Sequence, residues 1–556
     1  VKPIAHCLLL LLAVGVAFVA ISPSSRAGAS SAAAATPAEG AATLRDTIDC
    51  TLAAGWADQK LSPAPPATDA EFLRRVYLDL VGVVPSHDEA RAFLADADPN
   101  KRQVLIDRLL GDPRFAAAQA ILWDQVLFGR DPPGDDSMRK RDPFVKYLRQ
   151  RFADNAPYDQ IARELLLAEG NSAEQGAPLF LAQFRNKPEE AAVAVTRVFL
   201  GVQLQCARCH DHPTEDWTQK EFFGMAAFFN RLKVVDSGKA GTFTKFVVGE
   251  LATGDILFSG PAKDQKPGMK GEPVKPKFLG GAELAEPPAP KDAKDSRSDN
   301  KVPPTPAFSR KEKLAQWVAS PENPYFARAA VNRIWAQFMG RGFVDPVDDF
   351  SPSVAPTHAA LLEEMTRQFV SRRFDLRWLI REIVSTRAYQ IGSVGGSNEA
   401  SPQCYERARV RPLSAEEMIA SIRVATGADV AEKAGAKFNI TTDYFMRAFG
   451  EPLNGRGVFQ GSTDEHLFLN NSGDVQRFTQ PIKGNLADEL LGSSKPIEAK
   501  VERLFLTVLS RKPDDAEQKR FAEFLSTGMK DKESARRTVS QAIWVLLNTA
   551  EFRFNH

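Results

Sequence analysis

The chemistry-bearing residues of this 556-residue chain concentrate at Cys206-Ala-Arg-Cys209-His210, followed at once by Asp211, His212 and Pro213 and shortly after by Trp217. On a helical turn, positions i, i+3 and i+4 share a face. Two thiolates so placed reach the two vinyl groups of a haem while the adjacent imidazole reaches its iron. Cys206 and Cys209 are therefore candidate attachment sites for haem c, and His210 is its candidate proximal ligand. Thiolate and imidazole also bind zinc, and Cys206, Cys209, His210 and His212 would form that set, cramped into a short stretch without distant second-half ligands. In an oxidising compartment the same pair can instead close a structural or redox disulfide. For the sixth haem position Met225, Met339, His358 and His466 are available, whereas His212 is too close in sequence to cross the porphyrin. A methionine there suits electron transfer, and an open position favours small-ligand or peroxide chemistry.

A second grouping, GFVDPVDDFSPSVAPTH, gathers Asp345, Asp348, Asp349 and His358 after a helix that carries Asn332, Arg333 and Trp335. Such carboxylates can bind calcium or supply an acid–base pair, which would make the chain an enzyme. They equally serve turns and helix caps, with Thr357 placed to cap the next helix. Arg407, Arg409 and Arg411 in YERARVRPL suit haem propionates or an acidic partner, and as readily face solvent or bridge helices. No phosphate-binding loop, nucleophile elbow or H-E-x-x-H string occurs, so the common nucleotide, hydrolase and zincin sites lack support.

The elements that must position these residues are mainly helical. Ser86 to Glu89 reads as a capping box, Asn100 as a cap for KRQVLIDRLL, and Thr218 to Glu221 as a box opening FFGMAAFFNRL. RFAAAQAILWDQVLF, PFVKYLRQRFA, PYDQIARELLLAEG and EEAAVAVTRVFLGVQLQ place apolar residues at three- and four-residue intervals. Residues 44–233 thus form one helical domain. Composition then shifts: FTKFVVGE and DILFSG are β-like, and ten prolines lie between Pro261 and Pro306. The expectation for 234–309 is a Pro/Lys/Gly-rich connector with short strands. Helical spacing returns over 310–556, from RKEKLAQWVA to SARRTVSQAIWVLLNTAEF, with Ser414 to Glu417 as another capping box. The fold class is mainly α, two helical domains joined by that connector.

Composition and the first residues set the compartment. With 43% hydrophobic and 25% charged residues the chain is globular, and Lys+Arg 71 against Asp+Glu 70 leaves no basic field for nucleic acid. Lys2 and His6 precede CLLLLLAVGVAFVAI, and small residues follow, the order of a secretory signal peptide over 1–36. The run is shorter than the about 20 residues of a spanning helix, so cleavage is expected over an uncleaved anchor, with no span in the mature chain. Export to the periplasm, cell surface or medium agrees with haem c, which is attached outside the cytoplasm. Cys7 would leave with the signal, while Cys50 and Cys404 stand as free thiols or a bridge between the regions.

FLRRVYLDLVGVVPS, DRLLGDPRFA and FLGVQLQCARCHDHPTEDWTQKEFFGMAAFF resemble the planctomycete-type cytochrome-associated domain PSCyt2. SPENPYFARAAVNRIWAQFMGRGFVDPVDDF, FDLRWLIREIVSTRAYQ, ARVRPLSAEEM, RLFLTVLSRKP and LLNTAEFRFNH resemble its usual partner domain, PSD1. Both are domains of unknown function. The resemblance implies an exported protein in which Cys206, Cys209 and His210 form the cytochrome-type motif. Many relatives carry a separate cytochrome c-like domain at the amino end, yet nothing between Ala27 and Asp69 repeats C-x-x-C-H. The cysteine-rich string that many relatives carry after a Phe-Gly pair, here Phe449-Gly450, is also missing. One haem site remains, with electron transfer to an unidentified redox partner as the expected role. The rival expectation is a non-redox surface protein that binds an exported protein or polysaccharide, its Cys/His cluster a disulfide or zinc staple.

Overall fold

The computed structural model describes residues 43–129, 136–260, 271–288, 301–302, 304–397, 401–435, 437–438, 445 and 463–556. The signal segment 1–36, Cys7, part of the connector, the Phe449-Gly450 pair and the side chain of His466 lie outside the described residues. The chain is mainly α-helical with a few strands in small sheets.

The first helices are α1 (Leu44–Asp58), α2 (Asp69–Val81), α3 (His87–Ala95), α4 (Lys101–Leu110), α5 (Pro113–Phe128), α6 (Asp142–Ala153) and α7 (Tyr158–Leu167). Local chemistry starts most of them. Ser86 and Glu89 close the expected capping box on α3, and Thr68 and Asp112 cap α2 and α5 through their side chains. Asn100 precedes α4 as expected, but its side chain makes no capping hydrogen bond among the described residues. The short strand β1 (Gly170–Asn171) follows, then α8 (Ser172–Gln175), α9 (Pro178–Ala182) and α10 (Pro188–Val195).

The expected helix EEAAVAVTRVFLGVQLQ does not run through. α10 widens into a π turn over Thr196–Leu200 and stops at Gly201, whose φ of +67° is the left-handed region that glycine tolerates. A 3-10 turn, Gln205–Arg208, leads into the Cys/His loop, and the Thr218–Glu221 box starts α11 (Gln219–Ala226).

The connector folds rather than merely linking. β2 (Leu232–Ala240) and β3 (Phe243–Glu250) form an antiparallel hairpin extended by β1, and β4 (Ile256–Phe258) pairs with β5 (Glu272–Val274). Phe246, Val248, Leu251, Ile256, Val274, Leu279 and Leu284 are buried, so apolar content overrides the proline count. Lys277 donates its N–H to the carbonyl of Gly224 in α11 at 3.0 Å. A Cβ at Gly224 would stand 2.7 Å from the Lys277 Cβ, so only glycine admits this crossing.

Next come α12 (Arg310–Val318), α13 (Phe326–Met339), α14 (Ala359–Ser371) and α15 (Leu376–Val384). Thr357 does not cap α14. The N-cap position is His358, whose Nδ1 lies 3.1 Å from the Thr357 hydroxyl. The larger hydrophobic core extends from Leu44 to Tyr405, so packing does not divide at 310. Tyr158 of α7 stacks on Phe326 of α13 with centroids 4.9 Å apart, joining the two regions inside one core. A second core forms from Leu413 to Phe552 and takes in Leu78 and Val84 from the first region.

Candidate functional site

Both sides of the Cys/His turn are anchored, and its reactive atoms face outward. Leu204 and Ala207 are fully buried, whereas Cys206, Cys209 and His210 are exposed, and both cysteines are free thiols. The Ala207 N–H donates to the Leu204 carbonyl at 3.1 Å, and the Cys209 N–H to the Cys206 carbonyl at 3.4 Å. Beyond the turn, Asp211 Oδ1 accepts the Gln219 N–H at the start of α11 at 2.8 Å, and Gln219 Nε2 donates back to the Arg208 carbonyl at 3.1 Å. Arg208 pairs with Glu189 of α10 at 2.6 Å. The loop therefore hangs between α10 and α11 on side-chain bonds.

The tautomer of His210 follows from its partner. Its Nδ1 lies 2.7 Å from the carbonyl oxygen of Asp211, which can only accept. In the neutral ring Nδ1 therefore carries the proton, and Nε2 carries the lone pair. A ring held this way through Nδ1–H is the usual posture of a histidine that ligates through Nε2. His212 is turned elsewhere: its backbone N–H donates to the Trp217 carbonyl at 2.8 Å, and its Nε2 is 3.8 Å from Glu215, which also accepts the Trp217 indole N–H at 2.7 Å. Among the described residues, no set of three or more His, Cys, Asp and Glu side chains converges to hold a metal ion. The four expected zinc ligands and the Asp345, Asp348 and Asp349 calcium set are thus near in sequence without being gathered in space.

Two free, exposed thiols and an imidazole with its Nε2 lone pair are the donor set that covalent haem requires, and the residues present fit that group. The proposed sixth ligands lie deep. Met225 is fully buried in α11, and Met339 is 8% exposed at the end of α13. His358 is half-buried against Phe343 and Tyr405, and burial holds its imidazole below the usual value.

The acidic loop is held by α13. Asn332, fully buried, accepts the Val344 N–H at 3.0 Å and donates to the carbonyls of Val344 at 2.9 Å and Val347 at 3.3 Å. Phe343 stacks on Trp335 with centroids 4.4 Å apart. Asp345 pairs with Arg341 at 3.3 Å. Asp348 reaches across to the first region, where it accepts from Gln203 Nε2 at 3.2 Å and lies 3.9 Å from Arg197 Nε. Gly201, Gln203, Arg197 and Phe350 carry no motif in the sequence. These contacts join positions more than a hundred residues apart, and no local pattern marks them.

The arginine cluster is divided. Arg411 is committed to Asp79 at 2.9 Å and Glu417 at 2.8 Å, which hold its guanidinium protonated against the opposing effect of burial. Arg407 pairs with Glu406 at 2.8 Å, while Arg409 is exposed. Cys404 is a buried free thiol 3.4 Å from Gln59 Oε1, and so forms no bridge to Cys50.

Residues 47–234 match the family PSCyt2, a protein of unknown function (DUF1549), and residues 310–466 match PSD1, a protein of unknown function (DUF1553). The chain is a PSCyt2–PSD1 protein. The Cys/His turn belongs to the PSCyt2 segment and the acidic loop to the PSD1 segment, so the contacts around Asp348 join the two families in one molecule. The PSD1 match ends at 466, before the strings that close the chain. No curated protein and no solved structure matches the chain. Among the described residues of this PSCyt2–PSD1 protein, no helix is long and apolar enough to cross a membrane.

Proposed function

We propose that this PSCyt2–PSD1 protein is an exported haem c protein acting in electron transfer or redox chemistry. The observation that carries the reading is the posture of His210, whose Nδ1–H is spent on the Asp211 carbonyl at 2.7 Å beside two free thiols on one exposed turn. Cys206 and Cys209 would hold the haem covalently, and His210 Nε2 would face its iron. A haem bound there supplies one-electron transfer. The protein's own contribution is orientation: Asp211 fixes the imidazole tautomer by its carbonyl and ties the loop to α11 by its carboxylate. Export is supported by the basic, apolar and small-residue order of 1–36.

The test is expression in a periplasm that contains the haem-attachment machinery. The expected result is a Soret band and haem that stays with the polypeptide on a denaturing gel, both lost in Cys206→Ala/Cys209→Ala. A colourless product carrying zinc or a Cys206–Cys209 disulfide would replace this reading with the rival one, a binding protein whose cluster is a staple.

A further inference from the structure

The segment that delivers Cys206 to the surface is gripped by the other family's domain. Phe350 donates its backbone N–H to the Gly201 carbonyl at 2.9 Å, and its ring fills the space where a Cβ on Gly201 would stand, 2.6 Å from the Phe350 Cδ2. Arg328 lies over the same ring at 5.0 Å. Two residues on, Gln203 donates to Asp348 at 3.2 Å, and Arg197 flanks that carboxylate. Gln205, next to Cys206, has its Nε2 3.5 Å from Gln203 Oε1. On the PSD1 side the loop is tied down by Asn332 and by the Phe343–Trp335 stack. The chain from Arg197 to Gln205 thus has a built mount on one side and the reactive turn immediately beyond it.

We propose that Asp348 and Phe350 of the PSD1 segment are positioning residues for the Cys206–Cys209–His210 turn of PSCyt2, so that the two families form one functional unit. The inference does not rest on haem, because the mount acts on the polypeptide that carries the thiols. Between the two contacts of Asp348, the hydrogen bond from Gln203 dominates. A bond to a carboxylate is worth more than a partly exposed ion pair at 3.9 Å.

The experiment uses the full chain without haem and follows two readouts. One is amide exchange between Val202 and Cys209, and the other is the equilibrium between the Cys206–Cys209 dithiol and its disulfide in glutathione buffers. Asp348→Ala is expected to speed exchange in that stretch and to shift the thiol equilibrium, each by about three- to tenfold, the scale of one part-buried hydrogen bond of about 1 kcal/mol. Asp348→Asn keeps an acceptor for Gln203 and is expected to restore most of both. Gln203→Ala should reproduce Asp348→Ala, and the double variant should add little to either single one. Asp345→Ala and Asp349→Ala, in the same loop, should leave the turn as it is. The proposal is overturned if Asp348→Ala changes neither readout while the protein stays folded, or if the two control variants change them equally. A wild-type chain that takes up no haem would remove the functional reading and leave this result standing.

Discussion

Gly201 and Phe350, one in each family segment, meet as a backbone hydrogen bond of 2.9 Å with a ring packed where a side chain on residue 201 would be. The left-handed φ of +67° makes the position doubly demanding, since an L side chain there is strained even in open space.

Gly201→Ala is therefore expected to destabilise the protein by about 2–3 kcal/mol, from backbone strain together with overpacking against Phe350. A urea titration gives the value. Phe350→Ala added to it should return the overpacking part and leave the strain. A single variant with a wild-type midpoint would mean that the two residues are not in this contact.

Arg310 tests whether the connector is part of the fold. Its guanidinium is 1% exposed and bonds Glu286 at 2.6 Å, Asp255 at 2.7 Å and the carbonyls of Ala227 and Gly254 at 3.1 Å. Arg310→Met keeps the bulk but leaves Glu286 with Arg231 alone at 3.3 Å, and Asp255 with a 4.0 Å contact to the same arginine and with solvent, which is expected to cost about 2 kcal/mol. Limited proteolysis should then cut within 250–260 or 271–288 before it cuts α12. Unchanged protection of that stretch would show that the ion cluster does not hold it.

His358 predicts a pH dependence with a definite sign. Burial holds its folded pKa below the ordinary 6.5, so near and below that value the unfolded chain binds more protons than the folded one. Its contribution is fully present above 6.5 and is lost as pH falls from 6.5 through the depressed folded value. Melting temperatures between about pH 8 and pH 5 should decline on the acid side, and His358→Gln should flatten that decline. His556 is shifted the same way by burial, so part of the slope should persist in the variant. A slope untouched by His358→Gln would place the effect elsewhere.

Local physics was legible without the fold. The capping boxes at Ser86, Thr218 and Ser414 depend on residues three apart and form as the spacing says. Phe243–Glu250 is a strand over the β-like string FTKFVVGE, the PSCyt2 match covers all of its quoted strings, and the PSD1 match covers those up to ARVRPLSAEEM but not RLFLTVLSRKP or LLNTAEFRFNH. Elsewhere a long-range contact outweighs the local preference. Apolar periodicity carried a helix past Leu200, but the π turn and left-handed Gly201 end it where Phe350 docks. Proline content suggested a connector with short strands and no packing of its own, but Phe246, Val248, Ile256, Val274, Leu279 and Leu284, together with Arg310, fold its described part onto the first core.

The same division runs through the site. The sequence by itself determined that two thiols and an imidazole share one turn, because spacing along a chain is a property of the chain. Only the tertiary structure decided that Gln219 of α11 ties Asp211 down, that Asn332 holds the acidic loop, and that Asp348 grips Gln203. Those outcomes depend on packing and hydrogen-bond partners brought together by burial, and burial is settled by the whole core at once.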